Sequence, residues 1–379
     1  MDFQFTEEQQ LIKNMVREFA EEEVKPIAAE IDKTHKFPEA TVKRMAELGL
    51  FGLTIPEELE GAGGDSIAYS TAVEELSRVD ATHGTILSAH VSLGIHPIML
   101  FGTDAQKKKY VPDLATGRKL GAFCLTEAGA GTDAAAQLTV AEKQGDKYII
   151  NGSKVFITNG AYAETFIVFA MTDKSKGLKG ITAFIVEKTF PGFQVGQAED
   201  KLGICGSSTT EIIFKNCEVP VDNMLGNEGE GFKVAMQTLD GGRIGIASQA
   251  VGIAQGALEA AIDYAKDRKQ FGKPIAANQG LQWMMADMAV AVDCARLLTQ
   301  RAAAKKDAKE RFSKEAAMAK LYASETAMSV TTKAVQIHGG IGYTKSYPVE
   351  RMMRDAKITE IYEGTSQVQR MVIAGNILA

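Results

Sequence analysis

The hydrophobic period of this chain changes twice along its length, and that double change limits the fold more than any other feature. From Thr6 the apolar residues Leu11, Ile12, Met15, Val16, Phe19 and Ala20 repeat on one face of a helix, behind a capping box formed by Thr6 and Gln9. Segments 40–48 and 67–78 keep the same period, with a glycine-rich loop at 56–65 between them. Between about 119 and 228 the pattern turns into short β-branched and aromatic runs, at 148–150, 155–158, 166–171, 181–186 and 211–214. The Asn151-Gly152 pair between the first two runs predicts a two-residue hairpin, because both residue types tolerate positive φ. After Gly231 the helical period returns at 232–239, 244–268, 280–305 and 313–337, and the last two segments are expected to form a long antiparallel pair. The expected architecture is α+β and multidomain: a helical amino-terminal domain at 1–118, a β domain at 119–228 and a helical bundle at 229–379. Ligands are expected at the junctions between these parts.

Composition narrows the function classes. A chain of 379 residues has ample material for two or three units sharing buried surface. With 24% charged residues and no apolar run judged long enough to cross a bilayer, a membrane span is not expected. The net charge of -6, with lysines scattered among glutamates, gives no basic stripe for nucleic acid. The cysteines Cys124, Cys205, Cys217 and Cys294 lack metal-site spacing and read as reduced thiols. The start Met1-Asp2-Phe3-Gln4-Phe5 has neither an apolar leader core nor transit-peptide character, so a cytoplasmic location is expected.

Familiar chemistry motifs are missing. No G-x-G-x-x-G joins a strand to a helix, no Walker lysine is present, and the glycines of 226–231 are wrongly spaced for a dinucleotide turn. The histidines His35, His83, His90, His96 and His338 form no H-E-x-x-H, and no G-x-S-x-G occurs. His90 and His96 are expected to be structural. What remains are four clusters of Gly, Thr and Ser, at 125–133, 156–160, 336–343 and 361–367, whose amides and hydroxyls suit a planar, anionic ligand.

At these clusters the sequence resembles the acyl-CoA dehydrogenase family, most closely its short-chain, butyryl-CoA type. The resemblance runs over the whole chain and includes 81–93, 240–247, 268–274 and 354–360. It implies a barrel-like middle domain, a four-helix carboxy-terminal bundle and FAD as cofactor. Thr126, Phe156 and Thr158 match positions that flank the isoalloxazine ring, with Phe123, Leu125, Gly131 and Thr132 beside them; Thr365 and Gln367 match positions near the diphosphate and adenosine. Arg268, Phe271, Gln279, Gln336, Gly339 and Gly340 match residues that reach the FAD of a neighbouring subunit, which implies a homotetramer built as a dimer of dimers. Ala128 and Cys205 stand where the family usually has proline and arginine.

The resemblance assigns the base to Glu363, which would remove the substrate's α-proton while the β-hydride passes to the flavin. Relatives that carry the base on another helix have it at the position of Gly242, which cannot serve. Asp240, Arg243 and Thr132 match contacts to the CoA thioester arm; Ile244, Tyr362 and Gly364 match the substrate pocket. The implied reaction interconverts butyryl-CoA and crotonyl-CoA, with electrons exchanged through an electron-transferring flavoprotein. Another enoyl-CoA reductase, a short branched-chain dehydrogenase or an acyl-CoA oxidase are the alternatives.

Overall fold

The computed structural model describes residues 4–378; Met1 to Phe3, part of the start read above for leader character, and Ala379 lie outside it. Helix α1 (Glu7–Phe19) begins at the predicted capping box: Thr6 Oγ1 accepts from Gln9 N at 3.2 Å and Gln9 Oε1 accepts from Thr6 N at 3.0 Å. Helix α2 (Ser66–Val79) is capped by Asp65. Asp80 caps α3 (Ala81–Ser88) and also holds His83 Nδ1 at 2.6 Å.

Beyond α3 the chain stays helical through a π-type stretch, Ala89–Ile95, into His96–Phe101. This corrects one expectation, because residues 81–101 are long and apolar enough to cross a bilayer by length and composition. The segment is apolar because it is core, with 78% of its most apolar stretch buried inside the protein. Its polar groups are satisfied internally. His90 Nε2 lies 2.8 Å from Leu114 O, and Gly121 N donates to His90 Nδ1 at 2.8 Å. Burial drives the imidazole down to about 4, which keeps it neutral. His96 likewise bonds Thr54 Oγ1 at 3.0 Å. Both histidines hold structure together here.

Among the described residues the middle of the chain forms one sheet of eight strands. They are β1 (Gly121–Cys124), β2 (Val140–Gln144), β3 (Lys147–Thr158), β4 (Thr165–Met171), β5 (Ile181–Glu187), β6 (Phe193–Ala198), β7 (Thr209–Pro220) and β8 (Met224–Leu225). The order is β6-β7-β3-β2-β4-β5-β8, with β1 pairing β4 in parallel. All seven residues of β4 are buried, which is why that run reads as continuously apolar.

The hairpin predicted at Asn151-Gly152 is not there. Residues 147–158 are one strand, and the two-residue turn is Gly145-Asp146, where Gln144 pairs with Lys147. Asn151-Gly152 marks a bulge against β7 instead. Gly152 has φ 146°, and Thr139 of the loop beside it leaves no room for a side chain. Positive φ was therefore needed at this position, but for a bulge rather than a turn.

The carboxy-terminal part is helical: α4 (Gly231–Asp267), α5 (Gln279–Asp307), α6 (Ser313–His338), α7 (Val349–Thr359) and α8 (Ser366–Ile377). The two segments predicted at 232–239 and 244–268 are a single helix, because Gly241 and Gly242 stay helical. One apolar cluster unites α4, α5 and α6. Another joins the amino-terminal helices to the sheet, and a third joins 95–115, β4 and β5 to the start of α4. Arg354 of α7 ties the parts polar-wise, bonding Asp32 at 2.7 and 2.9 Å, Glu350 at 2.8 Å and Leu202 O at 3.0 Å.

Candidate active site

Between α7 and α8 the chain reverses through Glu363 and Gly364, both left-handed at φ 52° and 94°. The two left-handed residues turn the Glu363 side chain inward against α4. A Cβ added at Gly242 would collide with Glu363 Oε2, so glycine there is what lets the carboxylate enter. Leu93 walls the same spot. Oε2 is buried and has no hydrogen-bond partner among the described residues.

Burial is the main influence on this carboxyl, and it pushes the pKa up to about 7 against the opposing pull of Lys320 and Arg243. A carboxylate raised that far is matched to proton abstraction near neutral pH. Thr365 then starts α8 by accepting from Val368 N at 3.3 Å.

On α4, Arg243 Nη1 bonds Asp240 Oδ1 at 2.5 Å, and Ser313 Oγ donates to the same oxygen at 3.0 Å. Arg243 is buried, Asp240 half-buried. Both sit within a turn of Gly242 and thus of Glu363. The hydroxyl of Tyr362 donates to Gln249 Oε1, whose amide in turn donates to Thr85 Oγ1 at 2.5 Å. Ile244 is buried in the apolar cluster of the bundle helices.

A second group gathers on the sheet. Val155 N donates to Thr126 O at 2.9 Å, bringing the end of β1 beside the end of β3. There Phe156 stands in a left-handed conformation, 61% exposed, with the half-buried Thr158 two residues on and the half-buried Thr126 bonded to the neighbouring Val155. Gly131 and Thr132 are exposed, whereas Leu125 is buried and Phe123 packs edge-on to Phe169 at 4.9 Å. The 125–133 loop is anchored from beneath by Lys154, a fully buried lysine. Its ammonium donates to Leu125 O at 3.1 Å, Glu127 Oε1 at 2.8 Å and Gln137 Oε1 at 2.9 Å.

A third group lies at the other end of α4. Arg268 and Phe271 belong to the small hairpin after that helix, and Phe271 is fully exposed in a left-handed conformation. Stacking of Tyr264 on His338, 4.3 Å between ring centroids, brings the end of α4 that leads into the hairpin beside the end of α6, where Gln336, Gly339 and Gly340 are exposed. Gln279 opens α5 nearby in sequence, also exposed. Arg268 is 26 residues along from Gly242, roughly 39 Å at 1.5 Å per residue, so this group does not meet Glu363 of its own chain.

Comparison with known proteins decides the family. The acyl-CoA dehydrogenase N-terminal, middle and C-terminal domains match residues 6–118, 122–217 and 229–378. The chain is an acyl-CoA dehydrogenase. It is 60% identical over 377 residues to the short-chain-specific acyl-CoA dehydrogenase of Clostridium acetobutylicum, covering 100% of both chains. The butyryl-CoA dehydrogenase of Megasphaera elsdenii superposes with TM-score 0.99 at 51% identity, covering 100% of both. A chain from the Acidaminococcus fermentans electron-transferring flavoprotein structure, solved towards a mechanism of flavin-based electron bifurcation, also gives TM-score 0.99, at 57% identity and 100% coverage of both.

Acyl-CoA dehydrogenases are FAD-dependent, and the residues present here fit that group. An exposed left-handed phenylalanine, close in the fold to two half-buried threonines and beside a loop whose Gly129 and Gly131 have open space where a Cβ would project, offers a flat and polar platform. Two buried residues that sequence reasoning passed over also touch the site: Lys320 and Gln369, which bond the carbonyls of the Glu363 turn. Lys320 was legible in principle, because it falls on the alanine face of α6 between Ala316 and Ala323, where a solvated lysine would not be placed.

Proposed function

We propose that this acyl-CoA dehydrogenase interconverts butyryl-CoA and crotonyl-CoA, with Glu363 as the base that takes the α-proton. The observation that carries the reading is the buried, unpartnered Oε2 of Glu363, held near neutral pKa beside a helix that has no side chain at 242. Such an oxygen has no structural task, and an unpaired buried carboxylate oxygen is costly.

FAD, when bound, supplies the acceptor for the β-hydride. The chain's own residues do the rest. Thr126, Phe156 and Thr158 orient the ring, with Phe123, Leu125, Gly131 and Thr132 shaping its bed. The backbone N–H of Glu363 donates to the thioester carbonyl, so that enolate-like charge is tolerated as the α-proton leaves. Asp240, Arg243 and Thr132 hold the CoA arm, and Ile244, Tyr362 and Gly364 line the pocket.

Thr365 and Gln367 serve the diphosphate and adenosine, and Arg268, Phe271, Gln279, Gln336, Gly339 and Gly340 serve the FAD of a neighbouring subunit in a homotetramer. The distance of roughly 39 Å along α4 supports that assignment. The domain division at 1–118, 119–228 and 229–379, a cytoplasmic location and an electron-transferring flavoprotein as partner belong to the same reading. The names of the relatives above support the short-chain substrate and that partner.

Anaerobic bleaching of the flavin by butyryl-CoA tests the assignment. Wild-type protein should bleach; Glu363→Gln should keep FAD and CoA binding yet fail to bleach. Retained bleaching in that variant removes Glu363 from the mechanism.

A further inference from the structure

Two buried polar side chains meet at the carbonyls of the Glu363 turn. Lys320, fully buried on α6, donates to Gly364 O at 2.7 Å. Gln369, fully buried in the first turn of α8, has Nε2 2.8 Å from Gly364 O and 3.1 Å from Glu363 O. Neither group comes cheaply. An ammonium on an alanine-lined helix face gives up its hydration, and Gln369 Oε1 has no partner among the described residues. What they hold is a conformation that resists being held, since a left-handed non-glycine residue such as Glu363 costs on the order of 1–2 kcal/mol and persists only when its surroundings impose it.

We propose that Lys320 and Gln369 act together as a clamp on the carbonyls of Glu363 and Gly364, fixing where the Glu363 carboxylate stands, and are thus positioning residues for proton abstraction. The inference rests on Glu363 being the base. Lys320 has a second, separable effect through its charge. The groups that act on the carboxylate are Lys320 from α6, Arg243 from α4, the Tyr69 hydroxyl from α2 and Tyr362 on its own segment, while Asp240 acts on Arg243 and Glu360 on Lys320. Of these only Lys320 and Arg243 pull the carboxyl down against burial.

The test uses FAD-loaded wild type, Lys320→Met, Gln369→Leu and the double variant. Anaerobic flavin reduction is followed at saturating butyryl-CoA across pH, and crotonyl-CoA affinity is measured by titration. Each single variant should lose about tenfold or more in reduction rate, because a base displaced by a fraction of an ångström is misaligned, while crotonyl-CoA affinity stays within about threefold. The double variant should lose less than the product of the two single losses, as expected for one clamp. Lys320→Met should also move the pH at which the rate half-rises upward by about one unit, since a cation near the carboxylate is gone. Gln369→Leu should leave that midpoint in place.

Rates within about twofold of wild type in both single variants overturn the proposal. So does a loss that appears as weaker crotonyl-CoA binding at an unchanged rate. If Lys320→Met does not fold, Lys320→Gln takes its place, and Gln369→Leu carries the positional test alone. A wild type that bleaches, with Glu363→Gln inactive and both clamp variants at full rate, sinks the clamp and leaves the base standing. Bleaching by Glu363→Gln sinks the base instead.

Discussion

Glu363 Oε2 lies where a β-carbon of residue 242 would project, so the carboxylate and any side chain at Gly242 exclude each other. Two positions that are 121 apart in sequence thus address one point in space. In this chain the glycine at 242 is what leaves room for the acid at 363.

Gly242→Ala should therefore fold, since alanine favours a helix, yet displace the Glu363 carboxylate. We expect a loss of about a hundredfold in flavin reduction by butyryl-CoA, with FAD content unchanged. Stopped-flow reduction and the flavin absorbance of the purified protein check the two halves.

The pH dependence follows from the Glu363 carboxyl, whose pKa is raised to about 7. Below that pH the base is protonated, so the reduction rate should rise about tenfold per pH unit and flatten above neutrality. Stability runs the other way. A carboxyl with a folded pKa above its unfolded one favours the folded state at low pH, and that contribution fades as pH rises through about 7. Glu363→Gln should match wild type in thermal denaturation below pH ~4 and be the more stable protein at pH ~8, by on the order of 3 kcal/mol.

Lys154→Met removes the only cation bonded to Glu127 among the described residues and strips donors from Leu125 O and Gln137. Leaving that carboxylate without its cation should cost about 3–5 kcal/mol, read by chemical denaturation. The 125–133 loop loses its anchor as well. FAD retention through gel filtration should fall in step.

Arg268→Ala should lower the FAD-to-protein ratio or the assembly size measured by sedimentation, without touching Glu363 some 39 Å away along α4. An unchanged ratio and an unchanged assembly together would exclude the contact to a neighbouring subunit's FAD.

Periodicity alone determined where helices give way to strands and where they resume, because a 3.6-residue stripe and a two-residue alternation are local properties of the chain. The capping box at Thr6 and Gln9 was legible for the same reason. Glu363 was found through resemblance; by itself it reads as an ordinary glutamate near a helix start. The tertiary structure decided what local pattern could not. Asn151-Gly152 became a bulge because β7 and Thr139 press on it, and residues 81–101 became core because other elements cover them. Lys320 and Gln369 were brought to one turn from different helices, at separations of 43 and 6 residues from Glu363. Burial, and with it a carboxyl poised near neutrality, is a property of everything packed around a residue, and no stretch of sequence contains it.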